Sequence, residues 1–188
     1  NMLISIIGKI FNRFSLLIAN LSHENKRKYL IKRGAKIGKG TRMHCNVNAF
    51  GSEPYLISVG ENCLFSGNVN MTTHDGGIKV LNALGYFDGK RMDKISPIVI
   101  GNNVYIGMGA YIMAGVHIGD NVIVGAGAIV TKDIPCNSVC VGVPARVIKT
   151  IDDYYQSLKN SDIIFPTPGM SSAKKKEYLL SHIIDKKV

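Results

Sequence analysis

The sequence predicts an all-β solenoid, a parallel β-helix, and two observations carry that prediction. First, Ile100, Ile106, Ile112, Ile118, Val124 and Val130 stand six residues apart. Second, each is followed four residues later by another small or aliphatic side chain: Val104, Ala110, Val116, Val122, Ala128 and Ile134. A period of six fits neither a helix, which places apolar residues near every 3.6 positions, nor a half-buried strand, which alternates them. Gaps that alternate between two and four describe a very short strand and then a corner. Val104 and Ile106 point one way and Tyr105 the other, and Gly107-Met108-Gly109 turns the chain. Glycine suits corners because it lacks a Cβ and tolerates positive φ. Gly101, Gly107, Gly119 and Gly125 directly follow four of the first apolar set. Three strand-and-corner units close a triangular coil of about eighteen residues. One coil cannot bury its own inner face, so several must stack. Each buried Val or Ile then contributes roughly 1.5–3 kcal/mol.

The pattern recurs upstream in other phases. Ile37 and Met43 are six apart, with Thr41 and Val47 as companions. Val59, Phe65 and Met71 repeat the spacing, with Cys63 and Val69 as companions. The separations from Met43 to Val59 and from Met71 to Ile100 are not multiples of six. The coil is therefore interrupted near residues 49–58 and 75–97, and long insertions in compact domains are usually functional or disordered. The expected organisation is an N-terminal helical segment (2–33), the β-helix (34–149) and a C-terminal helical extension (150–188).

Composition bounds the reading. The chain has 188 residues, 46% of them hydrophobic, enough for one domain with a real core. Its four cysteines, Cys45, Cys63, Cys136 and Cys140, form no C-x-x-C pair. They read as reduced thiols of a cytoplasmic protein, not as a disulfide frame or a zinc site, and no metal is expected. Asn1, ahead of Met2, is left out of the reading. Residues 2–21 are interrupted by Lys9, Asn12 and Arg13, which makes a poor membrane span. Leu3, Ile6, Ile7, Ile10, Phe14, Leu17, Ile18 and Leu21 fall on one helical stripe instead. That stripe either packs on the solenoid or a neighbouring subunit, or rests peripherally on a membrane. No small-residue cleavage site marks it as a secretory signal.

The net charge of +10 is concentrated in Lys26, Arg27, Lys28, Lys32, Arg33, Lys36, Lys39 and Arg42, and in Lys174–Lys176 with Lys186 and Lys187. Such runs read as solvated faces. As functional features they would suit a polyanion, a phosphate-bearing ligand or an anionic membrane. There is no aromatic-basic interleaving, helix-turn-helix or zinc finger, so nucleic acid is not an expected partner. Near the end, Gly142-Val143-Pro144-Ala145-Arg146 closes the last coil. Residues 150–159 look helical, and Ser171 or Ser172 would cap a basic helix near 173–186.

Among five histidines, His23 and His182 lie in the terminal helical stretches, and His44 and His117 at outward strand positions. His74 differs. It lies in Met71-Thr-Thr-His-Asp-Gly-Gly77, at the mouth of the longer insertion. A histidine there can be held rigidly from below and roofed from above, as a general base requires. Imidazole also exchanges protons near neutral pH.

The repeat, the His74 loop, the run Val124-Gly-Ala-Gly-Ala-Ile-Val-Thr-Lys-Asp-Ile-Pro135 and the following Asn137–Ile148 stretch resemble the hexapeptide-repeat acyltransferases. The branch most similar is that of galactoside, maltose and xenobiotic acetyltransferases, especially O-acetyltransferases of polysaccharide synthesis. This resemblance implies a left-handed β-helix, an exception to the usual crossover hand. It also implies a homotrimer with active sites between subunits, and acetyl-CoA as co-substrate. His74 would be the general base, and the Met108 backbone N–H would hold the oxyanion. Met108, Ala126, Thr131, Lys132, Arg146 and Lys149 would line the coenzyme groove, the last four as a phosphate cradle. Many relatives have tryptophan where this chain has Tyr105.

For the carbohydrate acceptor, Asn46 falls near a sugar-binding position of the galactoside enzyme. Asp75 and Asp93 would orient His74 or bind acceptor hydroxyls, or else are loop carboxylates in water. The loop 75–97 would roof the acceptor. Within it Tyr86 and Phe87 could stack on a sugar, and Lys90, Arg91 and Lys94 could favour an acidic sugar or a diphosphate-linked carrier. The expected activity is O-acetylation of a sugar hydroxyl in capsule, O-antigen or exopolysaccharide synthesis. The alternatives are N-acetylation of a nucleotide-linked amino sugar, O-acetylation of an antibiotic, and an inactive solenoid scaffold.

Overall fold

A computed structural model describes residues 15–159 and 161–184. Most of the apolar stripe in 2–21 lies outside these residues. Of it, Leu17, Ile18 and Leu21 are described, and all three are exposed.

The chain climbs as a three-sided parallel coil. Face A carries β1 (Lys36–Ile37), β3 (Ile57–Val59), β6 (Ile98–Ile100) and β9 (His117–Ile118). Face B carries β2 (Arg42–Met43), β4 (Leu64–Phe65), β7 (Tyr105–Ile106), β10 (Ile123–Val124) and β12 (Ser138–Val141). Face C carries β5 (Asn70–Met71), β8 (Tyr111–Ile112) and β11 (Ile129–Val130). The final strand, β13 (Arg146–Thr150), turns back antiparallel on β12 and closes the edge of face B. Strands one coil apart pair in register, as in Tyr105 with Ile123 and Tyr111 with Ile129. Every member of the six-residue series and its companions, from Ile100 to Ile134, is buried, and so are Ile37, Thr41, Met43, Val47, Val59, Cys63, Phe65, Val69 and Met71 upstream. Burial pushes the Cys45 and Cys140 thiols up to about 11, so both stay protonated in the core.

The corners use glycine for two reasons, and at Gly109, Gly115 and Gly127 the reason is a positive φ of 68 to 84°. Gly101, Gly107, Gly119 and Gly125 do not have it. They are glycine because the coils touch there: a Cβ on Gly107 would stand 2.5 Å from the Ala126 nitrogen, and one on Gly60 2.6 Å from the Gly101 carbonyl oxygen. On the corner from face A to face B, asparagine takes the left-handed position. Asn62, Asn103, Asn121 and Asn137 all have φ between 55 and 57°, a conformation asparagine tolerates better than other side-chain-bearing residues. Their amides form a ladder: Asn103 donates to Asn121 at 2.9 Å, and Asn121 to Asn137 at 2.8 Å. The coil length is eighteen residues at the first of these steps and sixteen at the second, so the last coil is tighter.

The lower end of a solenoid exposes unpaired strand groups, which need a cap. Helix α1 (His23–Lys32), with Ser22 as its N-cap, packs on β1 and β2 and supplies one. His23 Nδ1 lies 3.2 Å from the Met43 amide and 2.9 Å from its carbonyl. Lys26 is buried, and its Nζ donates to the carbonyls of Met43 at 2.9 Å and Cys45 at 2.7 Å. Lys26 therefore leaves the solvated basic run to which the sequence assigned it. The helix and the solenoid form one compact unit that ends at Tyr154, and residues from Tyr155 onward form a second. Helix α3 (Ile151–Lys159) spans this division. Within the second unit, α4 (Ser172–Leu179) is capped by Ser171, and Tyr178 stacks on His182.

Both interruptions are folded. The first, around residues 49–58, makes two short 3₁₀ turns, Val47–Phe50 and Pro54–Leu56, and buries Phe50 beside Phe65. The second, 75–97, leaves the coil through a narrow neck. The Asp75 amide donates to the Lys94 carbonyl and the Ser96 amide to the Thr73 carbonyl, both at 2.8 Å, with His74 bridged to Ile95. Beyond the neck comes α2 (Ile78–Ala83), and Asn82 makes two hydrogen bonds to the Met92 backbone, at 2.8 and 2.9 Å.

Replacing Lys26 by Met keeps the apolar stem but takes the ammonium from two buried carbonyls, leaving that of Cys45 without a donor and that of Met43 with His23 alone. Urea unfolding of Lys26→Met is expected to show a loss of roughly 2–4 kcal/mol. A loss under about 0.5 kcal/mol would mean the cap does not depend on this amine.

Candidate active site

His74 stands just past the face-C strand β5, where the neck begins. Its side chain is about half exposed, and its Nδ1 lies 3.0 Å from Oε2 of Glu53. Glu53 comes from the first interruption, between its two 3₁₀ turns, so the two insertions meet here. The Glu53 carboxylate also accepts from Thr73 Oγ1 at 2.7 Å and from Ser52 Oγ at 2.8 Å. The Thr73 hydrogen bond, then those of Ser52 and His74, hold its carboxyl down at about 2, outweighing the upward push of burial. An ionised carboxylate only accepts. Nδ1 must therefore be the donor, and Nε2 is left with a lone pair for a substrate proton.

Neither Asp75 nor Asp93 orients this histidine. The Asp75 carboxylate accepts from Lys94 Nζ at 2.8 Å and from the Gly77 amide at 2.9 Å, and these partners, Lys94 first, lower its pKa. Asp93 is exposed and makes no hydrogen bond or ion pair among the described residues. Both carboxylates nevertheless line one open hollow of about 300 Å³ with Glu53, His74, Lys94 and Ile95. Glu53 escaped the sequence reading because it belongs to no repeat and lies 21 residues from its partner. The only signal was its place in an insertion.

The remaining candidates sort onto the corners. Register places Thr72-Thr73-His74, Met113-Ala114 and Thr131-Lys132 on the corner that follows face C. Asn46, Gly67, Met108 and Ala126 share the corner that follows face B, where the Gly109 amide donates to Gly67 at 3.0 Å and the Gly127 amide to Met108 at 2.8 Å. Face C lies between these corners, so one protomer does not bring His74 and Met108 together. The Met108 side chain is exposed, and its N–H has no acceptor among the described residues. A Cβ on Gly109 or Gly127 would meet nothing within 4 Å, so this corner forms a bare shelf. Ala126, Thr131 and Lys132 are exposed beside open space.

Arg146 and Lys149 are on β13, edging face B, apart from the corner of Thr131 and Lys132. Asn46 caps the first 3₁₀ turn, its side chain accepting from the Asn48 amide at 2.9 Å. Tyr105 projects from face B and takes a hydrogen bond from Ser66 at 3.1 Å. Tyr86 is exposed in the second insertion, beyond α2. Among the described residues, no group of histidine, cysteine and carboxylate side chains could hold a metal ion.

Comparison with known proteins agrees with this architecture. Residues 97–132 match the family described as bacterial transferase hexapeptide (six repeats). Protein CapG of Staphylococcus aureus is 40% identical over 168 residues, covering 88% of this chain and 91% of CapG. Galactoside O-acetyltransferase of Escherichia coli is 43% identical over 121 residues, 64% of this chain and 57% of that enzyme. The structure of a galactoside acetyltransferase in complex with coenzyme A superposes with a TM-score of 0.58 at 31% identity, over 78% of this chain and 82% of the other. A maltose O-acetyltransferase from Clostridium difficile 630 gives 0.52 at 29% identity, over 76% and 83%. Stacked hexapeptide coils, a histidine at the mouth of an extruded loop and these relatives together show that the chain belongs to the hexapeptide-repeat acyltransferases.

Proposed function

We propose that this protein is a left-handed β-helix O-acetyltransferase. It moves an acetyl group from acetyl-CoA to a sugar hydroxyl, in the synthesis of capsule, O-antigen or exopolysaccharide. The observation that carries this reading is the His74–Glu53 pair at the mouth of an open hollow. The solved relative with coenzyme A and the sugar acetyltransferases among the relatives support the donor and the acceptor class.

The residues divide the work as follows. Glu53 holds Nδ1–H of His74, so Nε2 takes the proton of the acceptor hydroxyl as its oxygen attacks the thioester carbonyl. The unpaired Met108 N–H receives the oxyanion that develops there. When the tetrahedral centre collapses and the carbon–sulfur bond breaks, His74 returns its proton to the departing thiolate. Glu53 is a positioning residue, since it acts through the imidazole.

His74 and Met108 stand on different corners, so the reaction geometry calls for two copies of the chain. His74, Thr131 and Lys132 would come from one copy, and Met108, Ala126 and Asn46 from its neighbour. A homotrimer closes such an arrangement with three equal sites and turns face C toward its axis. Thr131 and Lys132 would meet the phosphorylated end of the coenzyme, with Arg146 and Lys149 on the adjoining edge. Asp75, Tyr86 and Asp93 remain candidate acceptor contacts. We place the protein on the cytoplasmic side, with the apolar stripe of residues 2–21 covered by the solenoid, by a neighbouring subunit or by the membrane surface. No helix among the described residues is long and apolar enough to cross a membrane.

Thiol release from acetyl-CoA with a panel of sugar acceptors tests the assignment. His74→Ala should lower kcat by about 10²–10⁴-fold while acetyl-CoA still binds by calorimetry. Full activity in this variant would remove the general base.

Glu53→Gln should lower kcat at least about tenfold with little change in KM for acetyl-CoA, because an amide can also donate and no longer imposes one tautomer. The Glu53 carboxyl is depressed in the folded state, so its contribution to stability is present above about 4.5 and is lost as pH falls toward about 2. At pH 7 the variant should be less stable by about 1–3 kcal/mol, and the gap to wild type should close across that acid window. A pH-independent gap would contradict an ionised Glu53.

A further inference from the structure

The hollow beside His74 has a definite charge. Three acidic residues, Glu53, Asp75 and Asp93, line it against one basic residue, Lys94. The Lys94 ammonium is already spent on Asp75 at 2.8 Å, and Glu53 is engaged by Thr73, Ser52 and His74. Asp93 alone has no partner among the described residues. With a neutral imidazole, the hollow therefore carries an excess of two negative charges. Lys90 and Arg91, which the sequence offered as attractors for an acidic acceptor, do not line it. The corner that would face it from a second copy, residues 44–46, 66–68, 107–109 and 125–127, brings no lysine or arginine, and its ionisable side chains are the exposed His44 imidazole and the buried Cys45 thiol.

We propose that this hollow selects its acceptor by charge. It accepts a single sugar unit that is neutral or carries an ammonium group near the reacting hydroxyl, it rejects uronate and phosphate groups there, and Asp93 is the residue that discriminates. This rests on the O-acetyl transfer reading above and names the acceptor class within it. The size agrees, because about 300 Å³ is at the small end of ligand sites and suits one ring better than an extended chain. The electrostatics agree with the chemistry too. An anion on the acceptor would meet the unpaired Asp93 carboxylate and the net negative charge of the hollow at less than the Debye length of about 8–10 Å. Asp93 can instead accept hydrogen bonds from an ammonium or from vicinal hydroxyls.

The experiment compares kcat/KM for methyl glycosides of galactose, glucose and mannose, their 2-amino counterparts and the corresponding uronides, with acetyl-CoA as donor, at low and high ionic strength. At low salt the wild type should prefer the neutral or amino acceptor of its chosen configuration over the uronide by about tenfold or more, and salt should narrow the ratio. Asp93→Asn should shrink that ratio several-fold, Asp93→Glu should restore it, and Asp93→Lys should move it toward the uronide. Uronides used as well as neutral sugars by an active wild-type enzyme would overturn the charge selection and leave the acetyltransferase reading standing. A ratio unchanged in both Asp93→Asn and Asp93→Lys would overturn the role of Asp93. Failure of the wild type to acetylate any member of the panel, together with no binding of acetyl-CoA, would overturn the acetyl-transfer reading and this inference with it.

Discussion

The close approach of successive coils at the corners is the constraint on which the rest of this molecule depends. Gly38, Gly60, Gly101, Gly107 and Gly119 let one turn of backbone rest on the next at distances a Cβ would not allow. That contact holds the parallel strands in register over pieces only two to four residues long, too short to persist alone. Register in turn stacks Ile100, Ile118 and Ile134 along one line and Ile106 and Val124 along another, which makes the core. A coil gains stability only from its neighbours, so the two ends need separate treatment. β13 closes the upper edge, and α1 closes the lower one through Lys26 and His23.

The same rigidity serves the site. A solenoid corner cannot drift, because the coils above and below hold it. His74 inherits that order from β5 beneath it and from the neck that bridges it to Ile95. The first insertion contributes in a different way. Burying Phe50 anchors it to the core, and the anchored loop carries Glu53 to within hydrogen-bond distance of the imidazole. Thr73 and Ser52 then keep that carboxylate ionised, which removes any ambiguity over which imidazole nitrogen bears hydrogen. The two interruptions of the repeat thus form one functional object although they are far apart in the chain.

Charge at this site is set by pairing more than by composition. The chain is strongly basic overall, yet the hollow next to His74 is acidic, because Lys94 is neutralised by Asp75 and the other basic residues of the loop do not line it. A net charge of +10 therefore says little about what the site accepts. It describes the outer surface, and even there Lys26 is an exception, buried under the first coil.

The sequence by itself determined the solenoid, its buried residues, the positions of both interruptions and the singular place of His74. A six-residue period admits few other structures, and each of those features is local along the chain. It also carried the family resemblance through the runs after Val124. What only the tertiary structure decided was everything that joins distant segments. Glu53, not Asp75 or Asp93, faces His74, because loop folding rather than spacing brings them together. Asparagine takes the left-handed position on one corner and Gly109, Gly115 and Gly127 take it on the others, while Gly101, Gly107 and Gly119 answer to close contact, since a one-dimensional pattern does not distinguish a positive φ from a lack of room. The division of His74 and Met108 between two corners is likewise a matter of which face each strand occupies, and only the stacked coil reveals it.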